Sequence, residues 1–465
     1  MRLEFLTTIN LRFIRPKLAM QPLTRSRHIK PRKRFQVKLK FLSSLVLICA
    51  GWLMIGLVSS QSMALPPQTS QILKQTSQSP LTSQIRTPKL PVSNSWDHMP
   101  LSTRGSEILD QNGRTIILRG VNWFGLETEI HAPHGLWARD YKDLLTQVKT
   151  LGYNVIRLPF SVQMLKDSKV SGIDFSKGAN RELEGKSPVE VMDAIVQEAD
   201  RQGLMILLDS HRLNNKRIPE LWYGDGYTEE DWINSWIKLA DRYKSQANVI
   251  GADLKNEPHG KATWGSGDRK TDWRLAAERA GNAILRVNPN WLIVVEGIEN
   301  GFPNAALKTH WMGGNLEGVR RFPVRLSRSG KLVYSPHEYG PGVFDQPWFS
   351  ENSFPSNLLN RWEKGFNYIA RQRKAPILIG EFGGRKTDSD SKEGIWQQSL
   401  VKFIDANKLS FAYWSLNPNS QDTGGLLMDD WQTVDSSKQS MLQPLLPDAQ
   451  LLRELPGQSS APKKP

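Results

Sequence analysis

Between residues 96 and 448, short unbroken apolar runs alternate with longer stretches in which apolar residues return every third or fourth position. A run that is apolar at every position fits a strand buried on both faces, as in a parallel sheet covered by helices. Read this way, strands end near Asn122, Arg157, His211, Glu257, Glu296, His337, Glu381 and Trp414. Helical periodicity covers residues 141–151, 189–202, 231–243, 273–287, 359–372 and 395–407, and a fifth helix, the least patterned, is placed around 304–309. Eight strands in βα alternation predict an α/β fold of the (β/α)8 TIM-barrel type. Ahead of it, residues 107–118 read as two short runs joined at Asn112-Gly113, a β-hairpin with a type I′ turn.

Composition changes the picture mainly outside this domain. The formal charge of +15 suggests a nucleic-acid partner, but residues 1–40 hold twelve Lys and Arg against Glu4 alone, and residues 96–448 are nearly neutral. A basic nucleic-acid-binding protein is therefore disfavoured. Residues 41–58 form an uncharged apolar run of 18 residues, at the lower margin for spanning a bilayer. With Ser62-Met63-Ala64 resembling a small-x-small cleavage site, residues 41–64 read as a signal peptide or a membrane anchor. Arg32-Lys33-Arg34-Phe35 matches a twin-arginine signal only in part, and Met20 offers a second start. On either route the positive-inside bias predicts export: a secreted, periplasmic or membrane-tethered protein with its catalytic domain outside. Residues 65–95, rich in Pro, Ser, Thr and Gln, read as a disordered linker, and 449–465 as a similar tail. The single cysteine, Cys49, lies in the apolar run, so the exported part has neither a disulfide nor a Cys-based metal site.

The chemistry concentrates at the predicted strand ends. Leu254-Lys255-Asn256-Glu257-Pro258-His259 and Ile377-Leu378-Ile379-Gly380-Glu381-Phe382 each place one glutamate where an apolar run breaks. Barrel enzymes carry their catalytic groups at the carboxyl ends of different strands, and two such carboxylates suit the cleavage of a glycosidic bond. Asn-Glu-Pro alone would arise by chance in roughly one chain in twenty of this length. Its weight comes from the second glutamate and the polar strand ends around the pair.

Gly120-Val121-Asn122-Trp123, Ile156-Arg157-Leu158-Pro159, Asp209-Ser210-His211, Asn256-Glu257-Pro258, His337-Glu338-Tyr339, Gly380-Glu381-Phe382-Gly383 and Tyr413-Trp414-Ser415 follow one another in this order. Over nearly all of 96–448 the chain resembles glycoside hydrolase family 5 (clan A). His134-Gly135-Leu136-Trp137 and Asp422-Thr423-Gly424-Gly425 are similar to its bacterial endo-β-1,4-glucanase (cellulase) branch. The resemblance implies a retaining double displacement with Glu381 as nucleophile and Glu257 as acid/base. It surrounds them with Arg157, Asn256, His337 and Tyr339, and has Asn256 bind the sugar 2-hydroxyl. It also implies a His211 that donates to a ring hydroxyl and a Trp414 that offers a flat face and precedes a non-proline cis peptide. Trp123, Trp137, Trp222, Trp264 and Trp348 are candidate platforms for a glucan chain, each with a place in the core as its alternative.

No cofactor and no metal are expected. His131-x-x-His134 has ligand spacing, but no carboxylate or Cys accompanies it. The expected partner is a β-glucan polysaccharide, bound by a monomer with no nucleic acid. Because no carbohydrate-binding module follows the barrel, soluble or amorphous glucan is expected over crystalline cellulose. Two alternatives stay open: a β-mannanase on the same catalytic set, and a polysaccharide-binding protein that has lost catalysis.

Overall fold

The computed structural model describes residues 96–447, so the basic segment (1–40), the apolar segment (41–64), the linker (65–95) and the tail (449–465) lie outside the described residues. The first strands, β1 (Ser102–Arg104), β2 (Glu107–Leu109) and β3 (Thr115–Ile116), form a small antiparallel sheet, one strand more than the expected hairpin. Its turn is not type I′. Only Gly113 has a positive φ there (78°), while Asp110 Oδ1 accepts from the Asn112 and Arg114 amides at 2.8 Å each. The Asp side chain thus builds the turn and Asn112 avoids the left-handed region.

Eight parallel strands follow: β4 (Arg119–Asn122), β5 (Val155–Ser161), β6 (Met205–Arg212), β7 (Val249–Asp253), β8 (Leu292–Glu296), β9 (Leu332–Ser335), β10 (Leu378–Ile379) and β11 (Ser410–Tyr413). They pair in sequence order, β11 returns to β4, and bridges at Tyr334–Ile377 and His337–Glu381 close the barrel between β9 and β10. Nearly every strand residue is buried because side chains pack on both faces, which is why these runs carry no alternation. At the amino-terminal end of the barrel, Val155, Met205, Ile250, Leu292 and Leu378 pack with Ile108 of the small sheet and with Leu101 just before it, which closes that end. The opposite end is left for chemistry.

Helices α1 (Tyr141–Thr150), α2 (Pro188–Arg201), α3 (Glu229–Arg242) and α4 (Trp273–Val287) cover the first four crossovers, within about three residues of their predicted bounds. The predicted fifth helix is absent: the β8–β9 connection carries only a 3₁₀ turn, Glu317–Arg320. Asn304 sits at φ 66°, and the Glu317 carboxylate takes the amides of Ala306 (2.8 Å) and Leu307 (3.0 Å) that a helix would have bonded internally. The sixth, expected to be continuous, is α5 (Ser356–Trp362) and α6 (Tyr368–Arg371) joined by a π turn, Glu363–Asn367. Gly365 lies in that turn, where a Cβ would stand 2.9 Å from His310 Nε2. The last two are α7 (Lys392–Asn407) and α8 (Ser436–Leu442). Among the described residues no helix is long and apolar enough to cross a membrane.

Candidate active site

Neighbouring barrel strands deliver polar side chains to the carboxyl end at matched register. Asn122 of β4 pairs with Arg157 of β5, and Asp209 of β6 with Asp253 of β7. Arg157 therefore lies inside β5 rather than at the strand end expected for it, because β5 runs on to Ser161. The β7 strand stops at Asp253, so Asn256 and Glu257 stand on the loop beyond it, with the Asn256 amide anchored on Ser210 O at 3.1 Å.

Arg157 is the hub. Its guanidinium, fully buried, donates Nε to Asp253 (2.8 Å), Nη1 to Asn122 (3.0 Å) and Glu381 (2.6 Å), and Nη2 to Asn256 (3.0 Å) and Glu296 (3.2 Å). Asp209 Oδ2 lies 3.1 Å from Nη1. His337 Nδ1 lies 3.3 Å from Glu257 Oε1 and 3.5 Å from Glu381 Oε2, while Nε2 is 3.3 Å from Glu296 Oε1. The Tyr339 hydroxyl donates to Glu381 Oε2 at 2.6 Å. One carboxylate oxygen of Glu257 stands within 4.8 Å of one of Glu381.

Burial alone would lower both Arg157 and His337, but the surrounding carboxylates outweigh it and hold each cation well above its ordinary value. Burial pushes Asp209 up to about 6 and raises Asp253, Glu296 and Glu381 as well. At Glu257 burial also pushes upward, but the His337 contact outweighs it and the carboxyl falls below its ordinary value. Buried Lys255 is pulled down to about 8 by desolvation. Five carboxyls thus face three basic groups, and at this spacing the carboxyls of Asp253, Glu257, Glu296 and Glu381 influence one another's protonation. Within it, Glu381 receives two short donors, from Arg157 and Tyr339, which favour its ionised form against burial.

His211 Nδ1 lies 2.6 Å from Asp209 Oδ2. Burial holds the ring well below its ordinary value, and in the neutral tautomer that gives its Nδ1 proton to Asp209, Nε2 is an acceptor. Trp414 lines the same cleft, its indole parallel to His211 at 5.5 Å and to Phe124 at 5.3 Å, and the Trp414–Ser415 peptide is cis as the resemblance implies.

The other tryptophans correct the sequence reading. Trp123, with its indole nitrogen donating to His134 O at 2.9 Å, is fully buried, and Trp222, Trp264 and Trp348 are buried too. Side chains enclosed on all sides cannot stack on a sugar. Trp137 alone is exposed, at 39 %. Asn122, Asp209 and Glu296 appeared in the sequence reading only as strand ends or motif members without a role, and Asp253 was given none, although each stands in or at the end of an apolar run, the same signal that marked the two glutamates.

A cleft of about 580 Å³ opens over this cluster, lined by Glu257, Glu381, His211, Tyr339 and Trp414 and edged by the exposed Phe344. A barrel whose strand ends carry two adjacent carboxylates, one held by Arg and Tyr and the other beside a His, has the parts for hydrolysing glycosidic bonds. Residues 109–420 match the sequence profile of Cellulase (glycosyl hydrolase family 5). An endoglucanase of Paenibacillus polymyxa is 52 % identical over 341 residues, covering 73 % of this chain and 85 % of the relative. The crystal structure of an endocellulase from Pyrococcus horikoshii with cellotetraose superposes at a TM-score of 0.71 with 44 % identity, covering 75 % of this chain and 99 % of that one. The catalytic domain of the major endoglucanase of Xanthomonas campestris pv. campestris superposes at 0.70 with 41 % identity, over 74 % and 99 % of the two chains. The chain belongs to glycosyl hydrolase family 5 and is a cellulase-type glycoside hydrolase.

Proposed function

We propose that this protein cleaves internal bonds of β-1,4-glucan chains with retention of anomeric configuration, working outside the cytoplasm as a monomer without metal or cofactor. The observation that carries the mechanism is that both carboxylates reach one atom, His337 Nδ1, at 3.3 Å from Glu257 and 3.5 Å from Glu381, with one oxygen of each within 4.8 Å of the other, which leaves no space for a water between them. Retaining pairs stand about 5–5.5 Å apart, whereas inverting pairs leave about 6.5–9.5 Å for a water. Glu381, which Arg157 and Tyr339 favour as an anion, attacks the anomeric carbon and forms a glycosyl-enzyme. Glu257, drawing on the proton it shares with His337 Nδ1 at 3.3 Å, protonates the departing oxygen and then takes a proton from the attacking water. Glycosylation removes the charge of Glu381, so Glu257 and His337 lose a neighbouring anion and Glu257 is freed to act as base.

Asn256 supports recognition of the 2-hydroxyl. Its Oδ1 is fixed by Arg157 and its Nδ2, buried, has no partner within the protein, which leaves a donor for a sugar oxygen. Trp414 supplies the face and His211 Nε2 the acceptor in the same subsite. The polysaccharide assignment rests on the cellotetraose complex of the Pyrococcus relative and the endoglucanases named above. Export rests on the basic leader and apolar run at 41–58 and on the Xanthomonas relative, a major extracellular endoglucanase. Viscometry on soluble β-1,4-glucan tests the endo action: viscosity should collapse long before reducing ends accumulate, with β-1,4-mannan cut poorly. Steady release of short sugars at constant viscosity would contradict it, and faster cleavage of mannan would reassign the substrate.

A further inference from the structure

Glu257 has a backbone that its residue type resists. Its φ is 53°, in the left-handed region, and it is neither Gly nor Asn. The loop needs this bend, because β7 ends at Asp253 and the chain must aim the Glu257 carboxyl back across the cleft within four residues. A conformation of this kind persists where its surroundings hold it. Two side chains hold it here: His259 Nδ1 lies 2.7 Å from the Glu257 carbonyl oxygen, close in sequence, and Glu296 reaches the Glu257 amide from another strand. Glu296, the last residue of β8, accepts the Glu257 amide on Oε2 at 2.7 Å. Its Oε1 accepts from Arg157 Nη2 at 3.2 Å and lies 3.3 Å from His337 Nε2. Glu296 is fully buried, and the Trp273 indole donates to its carbonyl oxygen at 2.8 Å, which fixes the base of the side chain.

The loop opposite leaves room for this contact. Gly313 has a φ of 70°, and a Cβ there would stand 2.4 Å from Glu296 Oε2 and 3.2 Å from Glu257 Cα. Any side chain at Gly313 would push between the carboxylate and the amide it holds.

We propose that Glu296 is the positioning residue for the acid/base: its carboxylate clamps the Glu257 amide and ties it, through Arg157 and His337, to the same frame that holds Glu381. The inference rests on the proposed roles of Glu257 and Glu381. It differs from the plain reading of Glu296 as one more anion balancing Arg157. A charge-balancing role would affect every step alike, whereas a clamp on Glu257 matters only where a proton must be given or taken.

Glu296→Asp separates the two, because it keeps a carboxyl beside Arg157 and His337 while drawing the oxygens away from the Glu257 amide. Hydrolysis of soluble β-1,4-glucan by Glu296→Asp should fall roughly ten- to hundredfold in kcat with KM little changed, the range for losing one hydrogen bond to a charged group. The pre-steady-state burst from 2,4-dinitrophenyl β-cellobioside, whose leaving group needs no proton, should fall less than about threefold by the same reasoning. Azide should restore part of its steady-state turnover. Gly313→Ala, which sets a Cβ against Glu296 Oε2 while leaving Glu296 itself in place, should show the same split between glucan hydrolysis and burst. Equal losses in burst and glucan hydrolysis, or wild-type rates in both, would overturn the proposal. Glu381→Gln measured alongside keeps the underlying reading separate: if that variant turns over normally, the nucleophile assignment fails, whatever Glu296 does.

Discussion

Replacing Glu381 by Gln removes the one carboxylate that both Arg157 and Tyr339 address, each at 2.6 Å, and leaves no group to attack the anomeric carbon. No substrate should be turned over while the protein stays folded. Glu257→Ala should behave differently. Glucan hydrolysis should fall by roughly 10²–10⁴, the usual worth of a general acid, while aryl cellobiosides with good leaving groups still form the intermediate. Added azide should then yield a β-glycosyl azide, identified by mass spectrometry and NMR; no azide product from a folded variant would reject the assignment. Both glutamates were legible in the sequence because they interrupt apolar runs. The platforms were not, since nothing local distinguishes a tryptophan facing the cleft from one packed in the core. Trp123→Ala should accordingly cost about 3–5 kcal/mol of stability in a denaturant melt. Trp137→Ala should leave the melt unchanged and, if its indole holds glucan, raise KM on long chains about two- to tenfold, from a stacking worth of 0.5–1.5 kcal/mol. A KM effect of Trp123→Ala with unchanged stability would reverse that division.

Among the elements, the strands and first four helices could be read from periodicity because burial on one or both faces imposes it. The misreadings fall where a distant side chain takes over local hydrogen bonding. Glu317 reaches across its loop to hold two amides where the fifth helix was expected, and His310 packs on Gly365 inside the π turn that interrupts the sixth. Asp110 acts locally instead, taking the amides two and four residues on and so replacing the Asn-Gly turn by one of its own making. Where the signal is local, as at α3, it can be trusted. Thr228 Oγ1 accepts the Asp231 amide at 3.1 Å and the Asp231 carboxylate accepts the Thr228 amide at 3.0 Å. Thr228→Ala should lower stability by about 1 kcal/mol, seen as a reduced denaturant midpoint with kcat unchanged. A loss beyond about 2 kcal/mol would mean the cap supports more than its helix.

At the scale of the whole molecule, the barrel keeps its charged cluster by burying more acids than bases, and stability should depend on pH as a result. Glu338, buried with its amide on Glu381 O at 3.0 Å and its Oε1 3.3 Å from His310 Nε2, is pushed up to about 8 by burial, while burial lowers His310 to about 3. A raised carboxyl binds its proton more tightly in the folded state. Its contribution is therefore complete below about 4.5, the ordinary value, and is lost as pH rises toward 8. Glu338→Gln has no proton to lose, so its melting temperature relative to the parent should climb across that window and then level. A constant difference would show that Glu338 titrates normally.

The paired carboxylates on the barrel's strand ends stand or fall together in the stereochemistry of the product. Proton NMR of a soluble β-1,4-glucan digest, recorded before mutarotation, reports it directly. The account predicts that the first anomeric signal to grow is β, because two inversions, at Glu381 and then at water, return the starting configuration. An α-anomer appearing first would mean a single displacement by water and would contradict the assignment of Glu381 as nucleophile.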